Sequence, residues 1–412
     1  MSEGGRQKPA TAVTVLGRDP KRHIGAVNTP VYRASTILFN TVAELEAAVQ
    51  GTYAGVAYGL HGLPTVTDVQ AAFASLEGGY AGLAVPSGLA AITLALLAMT
   101  RAGDHVLVTD SVYGPTRRFC ENQLRGLGVD VSYYDPLIGG DIGRAMRDNT
   151  KVVFTESPGS LSFEVQDIPA IAEAAHERGA LVMLDNTWAT PLGFPAFARG
   201  VDVSVHAGTK YLGGHSDVLI GLINCSEATY PRMHRLWTDM GVACSSDDCF
   251  LALRGLRTLA VRLERHTQSA LRIATWLREQ PEIAEVIFPA LPGSRGHELW
   301  QRDFTGACGL FSVVLKPVAK QHIDAMLDGM RLFKMGFSWG GFESLILPIF
   351  PERTRTATRW ETHGPNRRLQ VGLERTATRW ETHGPNLRLH VGLEDCDDLI
   401  DDLAKGLARL RV

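Results

Sequence analysis

Residues 180–217 read ALVMLDNTWATPLGFPAFARGVDVSVHAGTKYLGGHSD. Ala180 to Leu184 is an unbroken apolar run, the pattern of a central strand buried on both faces of a sheet. It stops at Asp185. Ligands of open α/β sheets bind outside the carboxyl ends of the strands, so this carboxylate is expected to face a site; the plainer alternative is an acid capping a turn. A second strand, VDVSV at 201–205, runs into His206-Ala-Gly-Thr-Lys210-Tyr-Leu-Gly-Gly, a lysine set among small residues and followed by glycines. A surface lysine needs no such clearance, whereas one bonded to a flat ring needs backbone that can approach closely.

Working back toward the N-terminus, a helix with Asp167 as cap, Pro169 in its first turn and Gly179 just past its end delivers the chain into the buried strand. Before it, short β-branched runs alternate with amphipathic stretches: Gly82 to Pro86, a helix from Ser87, His105 to Asp110, a helix around Arg117 to Leu127, then Lys151 to Glu156. This rhythm predicts an α/β fold with a mostly parallel, doubly wound sheet. The first sixty or so residues, rich in Gly, Pro and Tyr, read as an extended arm. Toward the C-terminus a helical stretch from about Asp247 to Gln280 is followed by strands near Ile283–Pro289 and Gly309–Leu315 and by a helix over Asp395–Arg409, a smaller α/β domain. The expected parts are an arm at 1–62, a ligand-binding domain at 63–260 and a C-terminal domain at 261–412.

Composition narrows the function. At 412 residues and 45% apolar the chain can bury a large core, and its formal charge of −3 comes without a basic block that could follow a phosphate backbone. Nucleic acid is therefore not an expected partner. The longest apolar stretch, Leu89 to Met99, is too short to span a bilayer, and Met1 to Pro9 lacks the apolar core of a secretory signal. Six scattered cysteines with no CxxC fit reduced thiols in a cytoplasmic protein, with neither disulfide nor zinc expected.

Residues 355–374, RTATRWETHGPNRRLQVGLE, recur at 375–394 as RTATRWETHGPNLRLHVGLE, differing only at Arg367/Leu387 and Gln370/His390. Two copies cannot form a solenoid, which needs about three stacked units. The repeat reads as a recent tandem duplication or an error of sequence assembly, and either way one copy is surplus.

The chemistry that needs Asp185 and Lys210 together is that of pyridoxal 5'-phosphate (PLP). A pyridinium ring withdraws electrons only while its nitrogen stays protonated, and a carboxylate there holds the proton by an ion pair. A lysine forms the imine, is released by an incoming amino acid, and can then move protons as a free amine. The phosphate needs donors: Ser87-Gly88-Leu89 opens a helix whose first amides and positive dipole end point outward, and Thr209 could add a hydroxyl. Two rival readings were weighed on the residues. Gly336-Phe-Ser338-Trp-Gly340 matches the GxSxG elbow of serine hydrolases, yet ESLILPIFP after it reads as a strand rather than the required helix. His215-Ser216-Asp217 are contiguous and cannot converge on a metal or form a triad.

The chain resembles the Cys/Met-metabolism family of fold-type I PLP enzymes along nearly its whole length. The resemblance is carried by YGLHGLPT (58–65), LEGG (76–79), PSGLAAI (86–92), ESPGS (156–160), DNTWATP (185–191), TKYLGGHSD (209–217), RGLRTL (254–259), FSWGGFESL (337–345) and RLHVGLED (388–395). It implies that Lys210 is the Schiff-base lysine and proton carrier, that Asp185 partners the ring nitrogen, and that Ser87, Gly88, Leu89 and Thr209 cradle the phosphate. It further implies that Tyr113 stacks on the ring and assists proton transfer, and that Tyr58 reaches the phosphate of a neighbouring subunit, with active sites shared across dimers within a homotetramer. Trp339 in SWGG, with Phe337 where gamma-type members carry a glutamate, favours the beta-lyase subgroup, which eliminates at the beta carbon of L-cystathionine in methionine biosynthesis. Gamma-type or cysteine-conjugate chemistry and a non-catalytic homologue are the alternatives. Ser338 is expected to help orient the substrate carboxylate. The family arginine that grips this carboxylate maps to both Arg368 and Arg388; Arg388 is preferred because Leu387 keeps the apolar residue a buried strand wants, leaving copy one as an enlarged loop. Leu60 departs from the family by replacing an arginine, whose charge His61 would have to supply.

Overall fold

The computed structural model describes residues 7–60, 62–351, 355–362, 379–382 and 384–411, with 359–362 and 379–382 described for their backbone alone. The chain begins with two short helices, α1 (Pro9–Val15) and α2 (Val42–Val49). Helix α3 (Pro64–Glu77) then leads into β1 (Ala81–Val85), α4 (Gly88–Met99), β2 (His105–Thr109), α5 (Gly114–Phe119) and β3 (Asp130–Tyr134). There follow β4 (Thr150–Glu156), α6 (Ile168–Glu177), β5 (Leu181–Asp185), α7 (Thr190–Gly193), β6 (Val203–Ala207) and β7 (Gly221–Cys225). Helices α8 (Tyr230–Asp239), α9 (Ser246–Arg257) and α10 (Leu259–Arg278) connect to β8 (Ile283–Ile287), α11 (His297–Asp303), β9 (Leu310–Leu315) and α12 (Lys320–Asp328). The chain closes with β10 (Leu345–Ile349), β11 (Arg359–Thr362), β12 (Arg379–Thr382), β13 (Asn386–His390) and α13 (Cys396–Ala408).

Seven strands form one sheet in the order β1-β7-β6-β5-β4-β2-β3, parallel except that β7 runs against both of its neighbours. Both faces are apolar because successive residues serve different cores. Leu107, Val153, Val182 and Leu184 pack on the side of α3, α6, α9 and α10, while Val106, Val108, Val152, Phe154 and Met183 pack against α4 and α8. A strand with hydrophobic residues at both parities cannot sit at a wet surface, which is why β5 lies in the middle. The first of these cores continues into a second, antiparallel sheet, β10-β13-β9-β8, through Phe311, Val313, Leu387 and Leu389. The fold is therefore the α/β, fold-type I architecture expected, with strand ends β2, β4, β5 and β6 opening on one edge.

The structure departs from the sequence expectations in four places. The helix expected over 117–127 is α5 followed by a π turn (Cys120–Leu124) and a 3₁₀ turn (Arg125–Leu127); Gly126 and Gly128 deprive its end of helix propensity. The stretch expected over 247–280 breaks at Thr258 between α9 and α10. There the buried Arg262 guanidinium takes the carbonyls of Gly255 (2.7 Å) and Tyr211 (2.7 Å), and a Cβ at Gly255 would stand 2.2 Å from Leu212 O. The N-terminal segment is not all arm: α1 buries Val13, and Arg257 donates to the carbonyls of Val13 (3.0 Å) and Leu16 (2.6 Å). Large apolar residues are exposed at Ile24, Leu38, Val42 and Val49.

The fourth departure concerns the repeat. Copy one is not simply an enlarged loop, because its first residues are docked. Arg355 pairs with buried Glu164 at 2.7 Å, and Asp110 accepts the amides of Thr356, Ala357 and Thr358 at 3.0, 3.0 and 2.7 Å. Copy two supplies β13, whose Leu387 is 1% exposed between β9 and β10. The two RWET segments, β11 and β12, pair with each other in parallel register, Trp360 opposite Trp380. Arg367, Arg368 and Gln370 lie outside the described residues.

A pair of deletions tests this division of labour. Removing 355–374 or removing 375–394 leaves chains of equal length that differ only at the residues filling positions 387 and 390. The first should fold as the parent does; the second places an arginine at the buried 387 position and should lose about 3 kcal/mol or more of stability in urea unfolding.

Candidate active site

The carboxyl ends of β4, β5 and β6 deliver acidic and basic groups to one crevice. Asp185 Oδ1 accepts from the Thr187 amide (3.0 Å) and hydroxyl (2.5 Å), and the same hydroxyl accepts the Ala207 amide at 2.9 Å, which ties the exit of β5 to that of β6. Helix α4 starts beside this tie: Ser87 caps it by accepting the Ala90 amide at 3.1 Å. A Cβ on Gly88 would stand 2.5 Å from the Ala207 Cβ, so only glycine lets the first amides of α4 come this close to the strand end. The amides of Gly88 and Leu89 are those that helix geometry leaves for a ligand. The Thr209 hydroxyl accepts the Ile220 amide (3.1 Å) and donates to the Ile220 carbonyl (3.3 Å), holding the lysine loop.

Lys210 follows directly. Its Nζ donates to Ser338 Oγ at 2.6 Å and lies 5.5 Å from the centre of the Trp339 ring. Burial and then the neighbouring Arg388 push its amine down to about 8, against the opposing pull of Asp185. Arg388, on β13, donates to the Ser338 carbonyl at 3.1 Å and is itself pushed down to about 10 by burial. Ser338 is held between these two cations at φ 89°, a strained conformation for a residue with a side chain. The turn is fixed from behind: Gly340 donates its amide to His390 Nε2 at 3.1 Å, and a Cβ there would meet Tyr211 N at 2.7 Å. Burial drives His390 down to about 3, so it is the neutral acceptor this bond requires.

Tyr113 borders the crevice with 44% of its surface exposed, and its amide donates to Glu156 Oε2 at 2.7 Å. Glu156 and Asp185 are direct cross-strand neighbours on β4 and β5. Burial, then Asp185, pushes Glu156 well above the ordinary carboxyl range. Burial also raises Asp185, despite Thr187, His206 and Lys210.

The single chain thus gathers Lys210, Asp185, Ser338, Trp339, Arg388 and Tyr113, with Ser87, Gly88 and Leu89 alongside. It does not bring Tyr58 to them: that ring is 54% exposed, and its backbone bridges Thr36. Leu60 sits two residues on, and His61 lies outside the described residues. No strand, sharp turn and helix surround Ser338, since β10 follows it, so the hydrolase elbow is absent at this serine. Ser216 bonds to Glu343 and His215 Nδ1 contacts the Gly213 carbonyl at 2.7 Å; the segment is a loop support, and no metal-type cluster is found among the described residues. Sequence reasoning missed Glu156, Arg262 and His390 as site-shaping groups. Only Glu156 and His390 had a signal, as members of quoted motifs.

A profile of the Cys/Met metabolism PLP-dependent enzyme family matches residues 10–408. The chain belongs to this family. Among its relatives, cystathionine beta-lyase of Escherichia coli strain K12 is 43% identical over 98% of this chain and 99% of its own. L-alanine/L-glutamate racemase of Wolbachia pipientis wMel is 39% identical over 98% of both chains. The crystal structure of metB from Corynebacterium glutamicum superposes with a TM-score of 0.84 at 28% identity, covering 98% of this chain and 99% of that one.

The enzyme is therefore PLP-dependent, and the donor set suits PLP. The cofactor carries an aldehyde, a protonated ring nitrogen and a phosphate; the crevice holds one amine of lowered basicity, one buried carboxylate, and the amides of a helix start. Burial raises Asp185, and a ring cation beside it would favour its charged form.

An amine must be neutral to condense with an aldehyde. Lys210, lowered from 10.5 to about 8, is half neutral near pH 8 rather than two and a half units higher. The rate at which apoenzyme takes up PLP, followed by absorbance, should therefore rise as pH climbs through about 8 and level off above it.

Proposed function

We propose that the chain is a carbon–sulfur lyase that converts L-cystathionine and water into homocysteine, pyruvate and ammonia. The observation that carries the reading is the Ser338-Trp339-Gly340 turn lying against Lys210, with Arg388 bonded to its backbone and an apolar Phe337, 95% exposed, where a gamma-type member would present a charge. It agrees with the activity named for the Escherichia coli relative.

Lys210 would hold PLP through its amine, Asp185 would hold the ring nitrogen, and the amides of Gly88 and Leu89, with Ser87, would take the phosphate. When bound, PLP supplies an electron sink at the alpha carbon of the substrate. The chain's own groups do the rest. Arg388 and Ser338 orient the alpha carboxylate, which fixes the alpha hydrogen beside Lys210. Once released, the Lys210 amine, with its lowered basicity, removes that proton and can return it to the departing sulfur. Tyr113, raised by burial and by Asp185 and Glu156, remains a phenol and is the second candidate donor to sulfur.

The solvent-facing Ile24, Leu38, Val42 and Val49, and Tyr58 away from its own crevice, fit a chain whose 24–60 segment covers a second copy and lends Tyr58 to that copy's phosphate. We place the enzyme in the cytoplasm as a homotetramer of such dimers, the state that keeps this apolar surface from water.

Two substitutions test the assignment. Lys210→Ala should lose both the yellow colour of the PLP complex and pyruvate release from L-cystathionine. A wild-type protein that stays colourless with PLP, or that racemises L-alanine while releasing no pyruvate, would overturn the reading. Arg388→Lys replaces a bidentate fork by a point charge and should raise KM for L-cystathionine about tenfold to a hundredfold, with cofactor absorbance unchanged.

A further inference from the structure

The two copies of the repeat differ at two positions, Arg367/Leu387 and Gln370/His390. Burial in the second sheet accounts for Leu387; it does not account for His390, which lies on β13 two residues past Arg388. Side chains two apart on a strand share a face. Arg388 and His390 accordingly meet the Ser338-Trp339-Gly340 turn at points that are also two apart. Arg388 Nη2 donates to the Ser338 carbonyl at 3.1 Å, and His390 Nε2 stands 3.1 Å from the Gly340 nitrogen. The Gly340 N–H is directed at Nε2, so that nitrogen is the acceptor and the ring proton sits on Nδ1, although the Gly341 carbonyl lies at the same 3.1 Å.

Other groups pin the flanks of this segment. Asp402 accepts the amides of Arg331, Leu332 and Phe333 at 2.9, 2.8 and 3.1 Å, and Glu394 accepts the Ser344 amide and hydroxyl, both at 2.8 Å. Between these anchors Ser338 has to be kept at φ 89°, a conformation that a residue with a side chain leaves unless its surroundings hold it. Packing alone does not ask for a histidine behind the turn. The ring is buried beside Tyr211 (5.8 Å) and His266 (5.3 Å), and its Nδ1 finds no partner among the described residues. An apolar side chain would fill the space without burying an unpaired N–H. What the ring adds is the Gly340 bond, and burial, by pushing the imidazole down to about 3, keeps it the neutral acceptor that bond needs.

We propose that His390 is a positioning residue for amino-acid binding: by accepting the Gly340 amide it holds Ser338 and Trp339 against Lys210, so that the turn stays in place when Arg388 takes the substrate carboxylate. The inference rests on the reading of Arg388 and Ser338 given above. Arg388 is shared between turn and substrate, whereas His390 serves the turn alone. Copy one carries Gln370 at the matching position, a side chain whose amide oxygen can accept at the same reach as Nε2.

The test is the affinity of the full-length, PLP-loaded enzyme for glycine, which has the carboxylate but no leaving group, read as the glycine concentration that half-shifts the cofactor absorbance. His390→Leu removes the acceptor and should raise that concentration about tenfold, with PLP affinity as in the parent. His390→Gln keeps an acceptor and should stay within about threefold. A folded His390→Leu protein with parental glycine affinity overturns the proposal. An equal loss in His390→Leu and His390→Gln overturns it too, since the shape of the ring and not its acceptor would then matter, and so does a loss of PLP affinity in step with that for glycine, which marks a purely structural role. If His390→Leu does not fold, His390→Asn, whose amide ends short of Gly340, takes its place with the same expectation. Glycine requires no elimination, so the comparison decides the matter whether or not the wild type releases pyruvate from L-cystathionine. Parental glycine affinity in Arg388→Lys is a different failure, that of the Arg388 reading itself.

Discussion

The site depends on keeping one amine out of water without giving it a full counter-ion. Lys210 Nζ donates to a neutral hydroxyl at 2.6 Å and lies 5.5 Å from an indole ring, and its burial and the field of Arg388 make its charged form less comfortable. A salt bridge to Asp185 would undo this by stabilising the ammonium; instead the carboxylate spends its oxygen on Thr187. Much of the rest of the fold serves this balance. The break between α9 and α10 lets Arg262 grip the carbonyls that follow the lysine, and the second sheet brings Arg388 to the first through β13.

Charges at the crevice are then sorted by what surrounds them rather than by residue type. Asp185, Glu156 and Glu77 are all buried carboxyls within a few residues of the same strand ends. Glu156 receives one amide and is pushed well above the ordinary carboxyl range, whereas Glu77 receives four side-chain donors and is held below it. The same residue type is thereby pushed in opposite directions at one edge of the sheet.

Much of this was legible in the chain because it is encoded locally. The apolar run at 180–184, the glycine-spaced lysine and the Ser87 cap are read from neighbours in sequence, and they located β5, the crevice and the start of α4. What was not legible is encoded by distant partners. Glu77 reaches Asn224 across 147 residues, Arg262 reaches Tyr211 across 51, and no periodicity announces such a choice. The hold of Thr209 on the backbone of Ile220 was likewise not legible, since it links residues eleven apart across a loop. The docking of the first helix was hidden for the same cause, since Val13 is buried where that helix meets helices far along the chain.

The repeat has a consequence for how this gene can drift. Among the described residues, Asp110 holds the opening of the first copy, and the second sheet holds the ending of the second. A substitution at Thr358 therefore touches the Asp110 contact and one at Leu387 the second sheet, so that positions once joined in a single unit can change independently.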